Sequence, residues 1–210
     1  NGQPVESGDI VKIKLYRDNT NETISSVEDA RFLKYSTNIN LEYEAPVIPP
    51  SGLTWESSGE GTYTSTPSSL LKTSGGPWNL NIKSIETIDS GDGSVTWTVD
   101  NNVGGNNHFG GLQSDPLHST GSFQEINYAI FIHASTEIRV YQNGFVVYYG
   151  PPGVSNGDTL RVAIESGVVK YYHNDMITPI YTSSTPPSYP IAFGASLYEN
   201  GMSLSNISLV

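Results

Sequence analysis

Hydrolysis of a glycosidic bond needs two carboxyl groups across the bond, one protonated and one ionised. The densest acidic stretch, "SIETIDSGDG", supplies Glu86, Asp89 and Asp92. Glu86 and Asp89, three residues apart, face opposite sides of an extended strand. Asp89 and Asp92 flank a Ser-Gly pair that reads as a turn. Acids delivered by separate loops are the remaining route to such a pair. The four histidines, His108, His118, His133 and His173, stand singly and outside any H-E-x-x-H spacing. His133 falls in "YAIFIHAS", where alternation makes it a strand residue. With zero cysteines, disulfides, thiolate metal sites and a cysteine nucleophile are excluded. A zinc site would therefore draw on histidines and carboxylates from distant segments. No G-x-S-x-G elbow marks a serine hydrolase. No catalytic residue is assigned.

Binding chemistry is better supplied. "DNNVGGNNHFGG" packs Asp100, Asn101, Asn102, Asn106 and Asn107 around glycines, beside His108 and Phe109. Side-chain amides offer the paired donors and acceptors that sugar hydroxyls need, and an aromatic face stacks on a pyranose. The same oxygens, Asp100 and Asn102 foremost, are of the type that holds Ca2+. Asn and Gly also write an ordinary wide loop, and both readings stand. "SGGPWN" sets Trp78 and Asn79 among turn residues, as a stacking platform or as a cap on the core. "VVYYGPPGV" offers Tyr148 and Tyr149 at a Pro-Gly turn as a second platform. The candidate glycan-contacting set is Trp78, Asn79, Asn106, Asn107, His108 and Tyr149. Trp55 and Trp97, inside alternating runs, are expected in the core.

Composition narrows the partners. The chain has 210 residues, a net charge of −11 and only 10 Lys plus Arg. Phosphate neutralisation needs a basic surface, so nucleic acid is not an expected partner. An acidic, hydroxyl-rich surface suits neutral glycans or metal ions. No uninterrupted apolar span reaches membrane length, so no membrane insertion is expected. A basic, apolar, small-residue leader is also missing, so the sequence is expected to start after any signal or never to have had one.

These groups must be held by strands. Charged content is 15%, with 21 Gly and 13 Pro, a composition of short strands and many turns. "DIVKIKLYR" alternates with period two, as does the run from Phe32 to Tyr43, with a polar stretch between them. They predict an N-terminal antiparallel strand pair over residues 1–45, too small to be stable alone. "EAPVIPPSG" carries three prolines and reads as a linker, with the boundary at 46–52. From residue 53 to 210, turns recur about every eight to twelve residues, the spacing of an all-β sandwich. Asn143-Gly144 in "YQNGFVVYY" is the strongest hairpin signal. "LRVAIESGVVKYYHND" turns at Ser166-Gly167, with Leu160, Val162 and Ile164 on one face. His173-Asn174-Asp175 falls at the next turn and reads as a hairpin tip, not a ligand site.

The order G-D-x-x-R-V-x-x-x-x-G-x-V-x-Y-Y-x-N from Gly157 to Asn174 is followed by Tyr181, Ser183 and Pro190 with its small-residue strand. Together with "GLTW", "SGGPWN" and "GSVTWTV", it resembles the concanavalin A-like lectin/glucanase jelly rolls of bacterial and phage surface proteins. The resemblance covers about Gly52 to Val210. It implies an antiparallel jelly-roll sandwich and a cell-surface glycan or polysaccharide as partner. Glucanases of this group place three acids on one strand as E-x-D-x-x-E, a strand that this sequence lacks. The leading segment, "SGDIVKIKLYRD" through "EDARFL", is similar to the closing strand pair of small jelly rolls in phage tail-fibre and virion proteins. Together the two likenesses imply a carbohydrate-binding, host-attachment head on a trimeric fibre, located extracellularly or on a virion surface. A polysaccharide-cleaving enzyme (hydrolase or lyase) and a purely structural virion protein are the alternatives.

Overall fold

The computed structural model describes residues 16–17, 22–23, 52–101, 107–114 and 122–210. The chain divides into two compact units, Asn1–Pro49 and Pro50–Val210. In the first, β1 (Tyr16–Arg17) pairs antiparallel with β2 (Glu22–Thr23). Glu22 and Thr23 come from the polar stretch between the two expected strands. The run Phe32–Tyr43, the start of "DIVKIKLYR" and linker residues 46–51 lie outside the described residues.

The second unit is an antiparallel β-sandwich of two seven-stranded sheets. The front sheet has the order β11 (Phe145–Pro152), β10 (Glu137–Gln142), β9 (Tyr128–Ile132), β8 (His108–Ser114), β15 (Ile191–Leu197), β6 (Leu80–Ile88), β3 (Trp55–Gly59). The back sheet runs β14 (Tyr181–Thr182), β13 (Val168–His173), β12 (Thr159–Glu165), β7 (Gly93–Asn101), β16 (Ser203–Leu209), β5 (Ser69–Ser74), β4 (Thr62–Thr66). One turn of 3-10 helix, η1 (Phe123–Glu125), lies between β8 and β9. No described helix is long and apolar enough to cross a membrane.

Period-two alternation puts one side of each strand between the sheets. Leu80, Ile82, Leu112, Ile130, Val140 and Phe193 face inward from the front, and Val95, Trp97, Leu160, Val162, Val169 and Leu204 from the back. Each such side chain contributes about 1.5–3 kcal/mol on burial. The tight turns follow the sequence signals. Asn143 (φ 49°) and Gly144 (φ 82°) join β10 to β11 in the left-handed region, where a Cβ is least tolerated.

Lys72, on the inward side of β5, is fully buried. Its Nζ donates to the carbonyls of Gly76, Leu197 and Tyr198 at 2.7, 2.9 and 2.9 Å. It ties β5 to the segment leaving β15. The end of β13 is also structural. His173 Nε2 meets Asp158 Oδ2 at 2.7 Å, Asn174 Nδ2 donates to Asp158 Oδ1 at 3.0 Å, and Asn174 itself has φ 57°. The expected hairpin tip is thus a polar knot that holds the β12–β13 end closed.

Candidate functional site

Of the described residues singled out for ligand contact, Trp78 packs on Phe109 and Tyr198, the Asn107 carbonyl accepts from the Tyr198 N–H at 3.0 Å beside His108, and Tyr149 stands three strands away on β11. Trp78 is half-buried and edge-packed against Phe109, Phe123 and Tyr198, with ring centroids 5.0–5.3 Å apart. It caps an aromatic cluster, so its main face is not an open platform. Asn79 is half-buried, and its carbonyl accepts from the N–H groups of Glu60 and Gly61 at 2.9 and 3.2 Å. Asn107 Oδ1 accepts from the Ala134 N–H at 3.1 Å. His108 is wholly enclosed at 0% exposure, because it opens β8 on the inward side. Tyr149 stands outward at 66% exposure, and its neighbour Tyr148 turns inward against Tyr181. They sit on opposite faces of β11, not at a Pro-Gly turn. Asn102 and Asn106 lie outside the described residues. His133 falls just past the end of β9, in a turn where its Nδ1 meets Ser135 Oγ at 2.8 Å.

The outward face of the front sheet is organised in cross-strand rows. Phe109, Phe131, Arg139 and Tyr149 lie in register over four strands. Phe109 and Phe131 stack at 4.4 Å, and the Arg139 guanidinium lies 5.9 Å from the Phe131 ring and 5.2 Å from that of Tyr149. A short bond to Glu137 orients Arg139 and raises its pKa further. The next row reads Tyr141, Ala129, Gly111, Gly194, Lys83, Glu56. Two adjacent glycines hollow the middle of this row. A Cβ on Gly194 would stand 2.5 Å from Gln113 Oε1 and 3.2 Å from Ile126 Cγ1. Those two side chains therefore occupy the space a Cβ at Gly194 would take.

Beside Gln113 the face opens into a cavity of ≈ 290 Å³ lined by Glu56, Lys83, Ile85, Thr87, Gln113, Pro190 and Ala192. A bulge shapes it. Ala192 and Gly194 pair with Thr87 and Lys83, so two residues on β15 span four on β6. Ser84 holds the bulge, donating to the Glu86 carbonyl at 2.8 Å and accepting from the Phe193 N–H at 3.0 Å. Ile85 is thereby thrown outward, 56% exposed, as a cavity wall, the usual service of a bulge beside a site. Across from it the Lys83 ammonium meets Glu56 at 2.9 Å.

Gln113 is the unusual member. It is 1% exposed, yet among the described residues neither its amide nitrogen nor its amide oxygen finds a hydrogen-bond partner. Buried polar groups are nearly always paired, and an exception marks strain or a site. Of these lining residues only Pro190 stood out in the sequence, as part of a fold motif and not as a contact. The available signal was a phase slip in "LNIKSIETI", where Ile85 is odd and Leu80, Ile82 and Ile88 are even.

The acidic cluster is otherwise employed. Glu86 accepts from the Thr54 N–H at 2.8 Å, Asp89 from the Thr87 hydroxyl at 2.7 Å, and Asp92 from the N–H groups of Ser166 and Gly167 at 2.9 and 3.3 Å. Burial works against the Glu86 carboxylate, but the Thr54 bonds outweigh it and its pKa falls. Glu56 is the one carboxylate among the cavity's described lining residues. The calcium expectation rests on Asp100 and Asn102, of which Asn102 lies outside the described residues. Ca2+ takes six to eight oxygens. Among the described residues no group of three or more His, Asp or Glu gathers, and Asp100 is bound to the Ser205 hydroxyl.

No protein-family model matches the chain, and no curated protein matches it by sequence. Solved structures do match. The TRIM65 PSpry domain aligns with a TM-score of 0.56 at 12% identity, over 73% of this chain and 90% of that one. The carbohydrate-binding module CBM66 from Bacillus subtilis aligns at 0.50 and 16% identity, over 76% of this chain and 96% of the module. The exoplasmic/lumenal domain of VIP36, in its Ca2+/Man-bound form, aligns at 0.52 and 13% identity, over 74% and 82%. These likenesses are of fold: an antiparallel jelly-roll β-sandwich.

Proposed function

We propose that the sandwich is a non-enzymatic carbohydrate-recognition module, with its site on the outward face of the front sheet. The observation that carries this reading is Gln113, a buried amide with no partner among the described residues, at the edge of a cavity otherwise lined by an ion pair, a hydroxyl and aliphatic walls. An amide that both donates and accepts suits a polyhydroxyl ligand. Support also comes from the fold, since one structural neighbour is a carbohydrate-binding module and another was solved with mannose. Among the described lining residues Glu56 is the one carboxylate, where glycosidases use two.

Through the resemblance of the leading segment, the proposal extends to a recognition head on a homotrimeric fibre, displayed on a phage or virion surface or outside a bacterial cell. A glycan array is expected to return carbohydrate ligands that survive EDTA, because the cavity supplies its own donors and acceptors. Polysaccharides incubated with the chain are expected to yield no new reducing ends or unsaturated products. Released product would establish the enzymatic alternative, and an empty array would remove the recognition role. Light scattering is expected to give three chains per particle, and a monomer would remove the fibre assignment.

A further inference from the structure

We infer that the cavity takes one uncharged sugar ring; the inference rests on the carbohydrate reading above. The first ground is charge. The two ionic groups among the described lining residues, Lys83 and Glu56, face each other at 2.9 Å and neutralise one another. The other lining residues are Gln113, Thr87, Ile85, Pro190 and Ala192, all uncharged. A carboxylated sugar would meet Glu56 and the field of a chain with net charge −11. A cationic amine would meet the Lys83 ammonium.

The second ground is hydrogen-bonding pattern. Lys83 supplies a donor, and Glu56 and the Thr87 hydroxyl supply acceptors. The Gln113 amide behind them adds a donor and an acceptor once a ligand displaces the side chains that enclose it. Adjacent hydroxyls, each both donor and acceptor, match such alternation. An analogue that lacks the hydroxyl leaves the amide unpaired, which is how a polar site rejects it. Ile85 and Pro190, both exposed, offer an aliphatic wall for the ring's C–H face.

The third ground is size. The ≈ 290 Å³ volume falls at the small end of ligand cavities, which run from about 300 to 1,000 Å³. That volume holds about one ring, and the rest of a longer glycan would lie outside it. The ring is therefore a free monosaccharide or the end of a glycan, and oligosaccharide probes separate these two sources.

The test is calorimetric titration of the full chain with D-glucose, D-galactose, D-mannose and D-fructose, with neutral oligosaccharides ending in each, and with D-glucuronic and D-galacturonic acids. At least one neutral sugar is expected to bind, with affinity unchanged between low and high salt. The uronic acids are expected to bind at least tenfold more weakly. Gln113→Met and Ile85→Trp, the second plugging the cavity from its exposed wall, are each expected to lower affinity at least tenfold. Ile177→Ala, at an 88% exposed position outside both the cavity and the candidate contacts, is expected to leave it unchanged. If glycans bind but neither cavity variant weakens them, the cavity assignment fails and the carbohydrate reading survives. A preference for uronic acid that these variants abolish overturns the neutral assignment. Wild-type chain that binds no sugar, with array and titration both blank, overturns the carbohydrate reading itself.

Discussion

Gln113→Met is expected to make the protein more stable, although it removes a polar group from the proposed site. Methionine matches glutamine in length and flexibility, so the hollow beside Gly194 stays filled. What disappears is an amide whose nitrogen and oxygen are both buried without a partner among the described residues. Leaving a buried polar group unsatisfied costs about 1–3 kcal/mol. A volume-conserving core exchange costs less than about 1.5 kcal/mol. Two unpaired atoms cost about 2–6 kcal/mol together, so less the exchange the net gain is about 0.5–6 kcal/mol. For a domain of this size each kcal/mol moves Tm by roughly 2–4 °C, so a rise on the order of 5 °C is expected. Calorimetry and urea unfolding measure it, with the urea midpoint shifting at unchanged slope. A variant less stable than wild type by 1 kcal/mol or more would refute the reasoning. It would mean that the amide is satisfied in the native protein and stores nothing for a ligand. Stability gained together with affinity lost is the signature of a polar group kept for binding.

Other perturbations probe the frame around the site. Lys72→Met strips three carbonyls of their common donor and is expected to cost on the order of 3 kcal/mol in chemical denaturation; a neutral result would show that those carbonyls are solvated. Burial, then donation to Glu165, pushes the Tyr172 phenol up to about 12 from an ordinary value of 10.0. Because the folded value is the higher, the stabilisation is complete below pH 10 and is lost between pH 10 and about 12. Tyr172→Phe should therefore flatten the alkaline limb of a stability–pH curve, and an unchanged limb would contradict the assignment. Asp158 behaves oppositely. Burial raises its pKa, but bonds from Asn174, His173 and the Ser155 N–H outweigh burial and lower it. Its stabilisation is present above the ordinary value of 3.8 and falls away as pH drops through the lowered one. Asp158→Asn should weaken the acid dependence of unfolding followed by circular dichroism, and wild-type acid sensitivity in the variant would contradict this.

The strands, their turns and the all-β class were written in local pattern, because a sheet imposes period two on each strand whatever its neighbours are. Asn143-Gly144 named its own hairpin, and Trp97 its own burial, from a few residues each. The site was not local. Its members come from β3, β6, β8 and the start of β15, and in "HFGGLQS" alternation sorts His108, Gly110 and Leu112 from Phe109, Gly111 and Gln113 without saying which set faces inward. Both sets mix apolar with polar side chains, so only the packing of the opposite sheet settled it. Packing enclosed His108 and left Gln113 beside the cavity. The bulge that throws Ile85 outward likewise depends on Ser84 reaching the Phe193 N–H on another strand. Sequence determines which residues share a face; tertiary packing decides which face is interior, and hence what is presented to a ligand.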